Sequence, residues 1–175
     1  MSSGGEAVSE VLNKINPKWV ALIAGLTVLF LIIRALLAPS LAVETGMAAP
    51  DFTLEGTDGK TYTLNKFRDV PVVLSFWAPD CEECVAELSA KSAFARSHPE
   101  VQVLAVSIGD FTLEQLADAE YEHDIRFPVL ETSAQVQQRY GIHNLPVTML
   151  VDDQGVIRQI QEGEIGKPRL NVWIR

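Results

Sequence analysis

The stretch Val72-Val73-Leu74-Ser75-Phe76-Trp77-Ala78-Pro79-Asp80-Cys81-Glu82-Glu83-Cys84 decides how this chain is read. It starts as an apolar, strand-like run and turns at a proline into a helical pattern. That pattern opens on Cys81 and Cys84, the only two cysteines among 175 residues. Thiols at i and i+3 on the first turn of a helix share a face and can close a disulfide with little backbone movement. The helix N-terminus sets partial positive charge beside the first sulfur and favours its thiolate. A pair that can attack and then be resolved is redox chemistry. A static disulfide is the plainer alternative, but a loop closed over two residues constrains the unfolded chain little. A zinc site would need two more ligands, and His98, His123 and His143 show no paired spacing.

Asp80-Cys81-Glu82-Glu83 has the form of a capping box, with Asp80 as N-cap and Glu83 at the third helical position. Asp80, Glu82, Glu83 and Glu87 also surround the thiols, with no base nearer in sequence than Lys91. Negative neighbours disfavour a thiolate and so oppose the helix dipole. A less stabilised reduced form means a more negative potential, so the pattern predicts a reductant rather than a strong oxidant.

Working outward, Val72–Phe76 reads as a buried strand, Cys81 to about Ser97 as a helix, and Val101–Ser107 as a second buried strand. Upstream, Phe52–Leu54 and Thr61–Leu64 flank Asp58-Gly59 as a hairpin. Downstream, Thr112 and Gln115 cap a helix that runs to His123. Phe127–Leu130 is a short strand, and Ser133–Tyr140 is a helix stopped by Gly141. Val147–Val151 and Val156–Ile160 form a closing hairpin, and a last helix begins near Pro168. Strands alternating with helices predict an α/β domain, a central mixed sheet covered on both faces.

The N-terminal part reads differently. From Trp19 to Ile33 there is no charge, and beyond Arg34 apolar character resumes to Ala38. Taken as residues 19–38 this reaches the ~20 residues of a membrane-crossing helix, with Trp19 and Arg34 placed to meet the interfaces. A cleaved signal ending at Ser40-Leu41-Ala42 is the competing reading, but the apolar core exceeds a signal's ~7–15 residues. The expected organisation is a cytoplasmic tail (1–18), a transmembrane anchor (19–38), a linker (39–50) and an α/β domain (51–175) on the extracytoplasmic side of the cytoplasmic membrane. Lys14 and Lys18 before the span set the orientation. Setting aside Lys14, Lys18, Arg34, Glu6 and Glu10 leaves the part after Ala42 near -10, against -9 for the whole chain. That charge argues against nucleic-acid binding and favours basic protein partners.

The second informative stretch is Tyr140-Gly141-Ile142-His143-Asn144-Leu145-Pro146-Val147-Thr148-Met149-Leu150-Val151-Asp152. A proline opening a strand after a turn is either an edge-strand proline or a cis-proline. Together with Phe76-Trp77-Ala78 and the Cys-x-x-Cys it resembles the thioredoxin superfamily. The opening Ala49-Pro50-Asp51-Phe52-Thr53-Leu54, Asp58-Gly59-Lys60 and the insertion from about Asp110 to Leu130 are similar to its membrane-anchored TlpA/ResA-type branch, related to the AhpC/TSA redoxins. The resemblance implies a thioredoxin-like fold with an N-terminal β-hairpin. It makes Cys81 the attacking nucleophile, Cys84 the resolving thiol, Pro146 the cis-proline opposite the disulfide, and Leu145 a presenter of backbone groups to substrate. Glu87 matches a family acid that tunes the thiols and handles their protons; a solvated helix position is its plain alternative. Trp77 is either a substrate-facing aromatic or core packing, and a loop histidine such as His143 is ordinarily unremarked. Ser75 stands where thioredoxins keep a buried aspartate.

The function so implied is a thiol-disulfide oxidoreductase with no cofactor beyond the Cys81–Cys84 disulfide. It would reduce disulfides in exported proteins, apocytochrome c first among them, with a transmembrane electron donor to restore the dithiol. A copper chaperone of the Sco type, using both thiolates and His143, is the alternative, although that family spaces its cysteines by three residues. A peroxiredoxin-like peroxidase would place a threonine where this chain has Ala78.

Overall fold

The computed structural model describes residues 17–36 and 40–174, which fall into two compact units divided between residues 39 and 40. The first holds one helix, α1 (Pro17–Leu36). Among the described residues no helix is long and apolar enough to cross a membrane, which overturns the expected anchor over 19–38. Lys18 and Arg34 bracket an uncharged run of only 15 residues, Trp19–Ile33. At 1.5 Å per residue that is about 22 Å, short of the ~30 Å hydrocarbon core. The single-pass topology, the membrane attachment, the extracytoplasmic placement and the transmembrane electron donor were all drawn from that anchor, and they lose their basis with it. Most of the expected tail, residues 1–16, and residues 37–39 of the expected anchor and linker lie outside the described residues.

The second unit is built on β3 (Val72–Trp77), whose six residues are all buried. Because successive side chains point to opposite faces, each face must find its own core. Val72, Leu74 and Phe76 enter one core and Val73 and Trp77 the other. Around β3 the sheet runs in the order β5–β4–β3–β6–β7, with β4 (Gln102–Ser107), β5 (Val129–Leu130), β6 (Val147–Val151) and β7 (Ile157–Glu162). β4 is parallel to β3 and to β5, whereas β6 is antiparallel to β3 and to β7. The mixed sheet and thioredoxin-like arrangement are as expected. β5 is shorter than predicted because Pro128 has no N–H to give the ladder, though its carbonyl still accepts from the Ala105 N–H at 2.9 Å.

The helices start and stop where local chemistry dictates. α2 (Glu82–Ser97) and α3 (Leu113–Glu122) contribute Leu88, Phe94, Leu116 and Ala119 to the Val73/Trp77 core, joined by Leu170 from α5 (Lys167–Trp173). Thr112 and Gln115 form the predicted capping box of α3. α4 (Ala134–Tyr140) lies on the opposite core through Val136 and Tyr140. Ser133 caps it by accepting the Val136 N–H, and Gly141 ends it at φ 66°. β1 (Thr53–Glu55) and β2 (Thr61–Thr63) form the predicted hairpin.

The stretch expected as a linker is instead built into the domain. Val43 and Ala49 are buried in the α4-side core. The Ala42 N–H donates to the Tyr140 carbonyl at 3.1 Å, Gly46 and Met47 exchange hydrogen bonds with Ile157, and the Ala49 N–H donates to Gly155 O at 2.9 Å. These bonds lay residues 46–49 beside residues 155–157, where β7 begins. At the other edge of the sheet, the Thr57 N–H donates to Val129 O at 3.0 Å and the Glu131 N–H to Glu55 O at 2.9 Å, so the hairpin covers β5. Prolines at both ends made 39–50 resemble a tether, but apolar Val43 and the unpaired edge of β7 draw it in.

Gly141 tests this docking. A Cβ there would collide with the backbone nitrogen of Ala42, whereas one at Gly59, also at positive φ, would meet nothing within 4 Å. Gly59→Ala should cost about 1–2 kcal/mol for its left-handed conformation alone. Gly141→Ala should cost at least about 2 kcal/mol more, because the docked segment must move. Urea unfolding followed by circular dichroism separates the two, and equal losses would mean that residues 40–49 contribute nothing.

Candidate active site

β3 ends at Trp77, and four residues, Ala78 to Cys81, lead from it into α2. The Ala78–Cys81 turn is closed by the Cys81 N–H donating to the Ala78 carbonyl at 3.1 Å. Cys81 and Cys84 form a disulfide with Cα atoms 5.2 Å apart, well within the usual span of such a bond. The N-cap is not Asp80, as the capping-box pattern suggested, but Cys81 itself. Its Sγ accepts the Cys84 N–H at 3.2 Å, occupying the place a capping oxygen would take and leaving Asp80 exposed. That hydrogen bond and the helix dipole both favour negative charge on Cys81 Sγ once the pair is reduced. Exposed Asp80, Glu82 and Glu83 oppose it. The two sulfurs differ in access, since Cys81 is half-buried and Cys84 fully buried.

The second stretch of the sequence arrives beside the first. Val147 pairs with Phe76 across β6 and β3, so Pro146 sits level with Trp77 at the end of β3 that leads to Cys81. The Leu145–Pro146 bond is cis. Pro146 is buried, and Leu145, partly exposed, packs against the same core as Cys81. The Pro146 carbonyl accepts the Gly163 N–H at 2.9 Å. Trp77 is fully buried in the α2-side core, which is its core-packing role rather than contact with a substrate. His143 is exposed in the loop before Leu145. Among the described residues no group of three or more His, Cys, Asp or Glu side chains could hold a metal ion, so the copper reading finds no ligand set there.

Beneath the disulfide the helix carries a charged pair in its buried face. Glu87, one turn after Cys84, is 5 % exposed rather than solvated, and Lys91 a further turn on is 0 % exposed. Lys91 Nζ donates to Glu87 Oε1 and to Ser75 Oγ, the latter at 2.6 Å. The other carboxylate oxygen of Glu87 accepts the Ile165 N–H at 2.8 Å. Burial pushes the Lys91 ammonium below its ordinary pKa, while the charge of Glu87 pulls it back up. A cavity of about 170 Å³, lined by Ala86, Glu87, Ala90, Glu164, Ile165 and Gly166, borders the carboxylate. On the sheet, Thr148 lies opposite Ser75 in the β3–β6 ladder. Its Oγ1, like Trp77 Nε1, is buried with no hydrogen-bond partner among the described residues.

Lys91 was not among the predicted site residues. A Glu and a Lys four apart on a helix ordinarily read as a surface pair. The available signal was Ser75, a polar residue inside an apolar strand facing the same helix, which needs a buried partner.

The unequal access of the sulfurs has a direct consequence. When the reduced native domain is treated with iodoacetamide and mapped by peptide mass, Cys81 should carry the label and Cys84 should react only after denaturation. Labelling of both at comparable rates would show that Cys84 is not shielded.

Residues 45–160 match the AhpC/TSA family. The chain is 33% identical to thiol-disulfide oxidoreductase ResA of Geobacillus thermodenitrificans over 129 residues, covering 72% of this chain and 74% of that protein. It is 27% identical to the thioredoxin-like protein YneN of Bacillus subtilis, covering 73% and 77%. Among solved structures, the thioredoxin domain of a thiol-disulfide oxidoreductase from Bacteroides vulgatus superimposes with a TM-score of 0.67 at 21% identity, over 76% of this chain and 99% of that one. The exposed lipoprotein thioredoxin of Streptococcus pneumoniae gives 0.61 at 28% identity, over 71% and 98%. With a Cys-x-x-Cys disulfide at the start of α2 in a thioredoxin-like fold, the chain belongs to the AhpC/TSA family and is a thiol-disulfide oxidoreductase working through Cys81 and Cys84.

Proposed function

We propose that the pair works as a dithiol reductant of disulfides in polypeptide substrates. The observation that carries this reading is the asymmetry of the two sulfurs, Cys81 half-buried at the helix start, packed on the same core as Leu145, and Cys84 fully buried. Cys81, as thiolate, attacks a substrate disulfide; its S–S bond breaks, one substrate sulfur leaves as thiolate, and a mixed disulfide forms on Cys81. Cys84 then loses its proton and attacks Cys81 Sγ, closing the Cys81–Cys84 bond and releasing the second substrate sulfur. Two electrons pass from the dithiol to the substrate, the freed thiolates take up protons, and a second dithiol must restore the pair.

Other site residues take supporting roles. An extended substrate lies along the Leu145–Pro146 edge, and Glu87 accepts the Cys84 proton. The exposed acids Asp80, Glu82 and Glu83 favour the reducing direction, since charge of their sign makes the reduced, thiolate-bearing form costlier. Peroxidase chemistry is less well served, because the position three residues before Cys81 is Ala78 and offers no hydroxyl.

Equilibration of the full chain in dithiol–disulfide buffers, read by alkylation mass shift, should give a midpoint on the reducing side of about -200 mV, and one near -120 mV would mark an oxidant instead. Cys84→Ser should accumulate mixed disulfides through Cys81, tested first with an oxidised Cys-x-x-Cys peptide of the apocytochrome kind. Failure to trap any peptide would remove Cys84 from the resolving role.

A further inference from the structure

Lys91 is an expensive residue to bury. A charge in the core loses its hydration, and pairing returns at best about as much, so an apolar residue of similar volume would hold the fold as well or better. The chain nevertheless encloses Lys91 completely and commits its ammonium to Glu87 and to Ser75 on β3. Glu87 is equally committed, one oxygen to Lys91 and the other to the Ile165 N–H. The carboxylate is one turn from buried Cys84 and borders a cavity that extends along Gly166 and Glu164.

We propose that Lys91 is a positioning residue, which holds Glu87 ionised inside the core and so keeps a proton acceptor ready for the resolving thiol. The inference rests on the role given above to Glu87. In the resolving step the Cys84 S–H bond breaks and its proton goes to the Glu87 carboxylate. The sulfur's electron pair forms the bond to Cys81 Sγ, the Cys81–substrate S–S bond breaks, and the departing substrate thiolate takes a proton from solvent. Glu87 returns its proton to solvent along the bordering cavity, and Lys91 restores the anion by making the protonated acid the less stable state. Among the described residues, the charged groups around Glu87 are Lys91 and exposed Glu83, each one turn away on its own helix, and Glu164, which lines the same cavity; from the sheet, the Ser75 hydroxyl on β3 meets Lys91, and Thr148 on β6 lies opposite Ser75. Lys91 is therefore the cation available to offset both the burial of Glu87 and the nearby negative charge of Glu164.

The sign of the effect follows. Without Lys91, a carboxylate shut away from water loses the cation that offsets its lost hydration, so the ionised acceptor form is favoured only at higher pH. The test is the rate of mixed-disulfide resolution, measured by acid quench and alkylation across pH, in Lys91→Met, Glu87→Gln and the double variant. Lys91→Met should slow resolution about tenfold or more near pH 6.5 and recover towards the wild-type rate above about pH 8.5. Glu87→Gln should be slow without that recovery, and adding Lys91→Met to it should change the profile less than about twofold. A wild-type profile in Lys91→Met beside an altered one in Glu87→Gln would overturn the inference alone. A wild-type profile in Glu87→Gln would overturn the Glu87 role itself. If Lys91→Met does not fold, the carbon-13 carboxyl shift of Glu87 in the native protein at about pH 6.5 decides: the shift of an ionised carboxylate is expected, and that of a protonated carboxyl overturns the proposal.

Discussion

Strand β3 must satisfy two cores at once, and most of the architecture answers to that constraint. All six of its residues are buried, so neighbours are required on both flanks and helices on both faces. Its even-numbered side chains gather α4, the hairpin and the segment around Val43. Its odd-numbered ones gather α2, α3 and α5. Ser75 falls on the second face and is the one polar interruption of the strand, so the helix above it has to supply a polar partner there. The strand then stops at Trp77, close to where β6 begins at the register of Pro146, and this brings the two informative stretches of the chain together.

At the start of α2 two opposing electrostatic influences meet on one sulfur. The backbone supplies a donor at 3.2 Å and the positive end of the helix, while the side chains of Asp80, Glu82 and Glu83 supply negative charge in solvent. Surface charges are screened by salt and a backbone N–H in contact is not. The balance is therefore one that ionic strength can tilt towards the thiolate. Deeper in, where Glu87 meets Lys91, no such screening applies and the pairing is fixed by packing.

Elements governed by local chemistry were legible before any coordinates. Thr112 with Gln115, and Ser133 with Gly141, mark helix ends because side-chain hydroxyls and a left-handed glycine solve the problem of unpaired helix termini. The Cys81–Cys84 pair and the Leu145–Pro146 bond were legible through the pattern that joins them. Three readings failed, and only one of them on contacts distant in sequence. Asp80 is a better capping residue than cysteine by composition, but the turn through Pro79 gives Cys81 Sγ the position. The stretch 39–50 looked like a tether because what it packs on, Tyr140 and Ile157, lies about a hundred residues away. The supposed anchor gained its length only by counting across Arg34. Lys91 was hidden for a related reason, since nothing in helical spacing tells a buried Glu–Lys pair from an exposed one.

The segments wrapped around the sheet also bear on how the protein behaves in a crowded solution. Outer strands offer rows of unsatisfied backbone groups that invite another chain to add on. Here each row is met from within: residues 46–49 pair with residues 155–157 where β7 begins, and residues 55–57 lie against β5. Both guards are drawn from the same short stretch ahead of the catalytic strand. A version of the domain begun at Asp51 would keep the disulfide and the second guard but lose the first. It would be less stable, and its newly bared edge would raise its tendency to self-associate, visible as added mass in sedimentation.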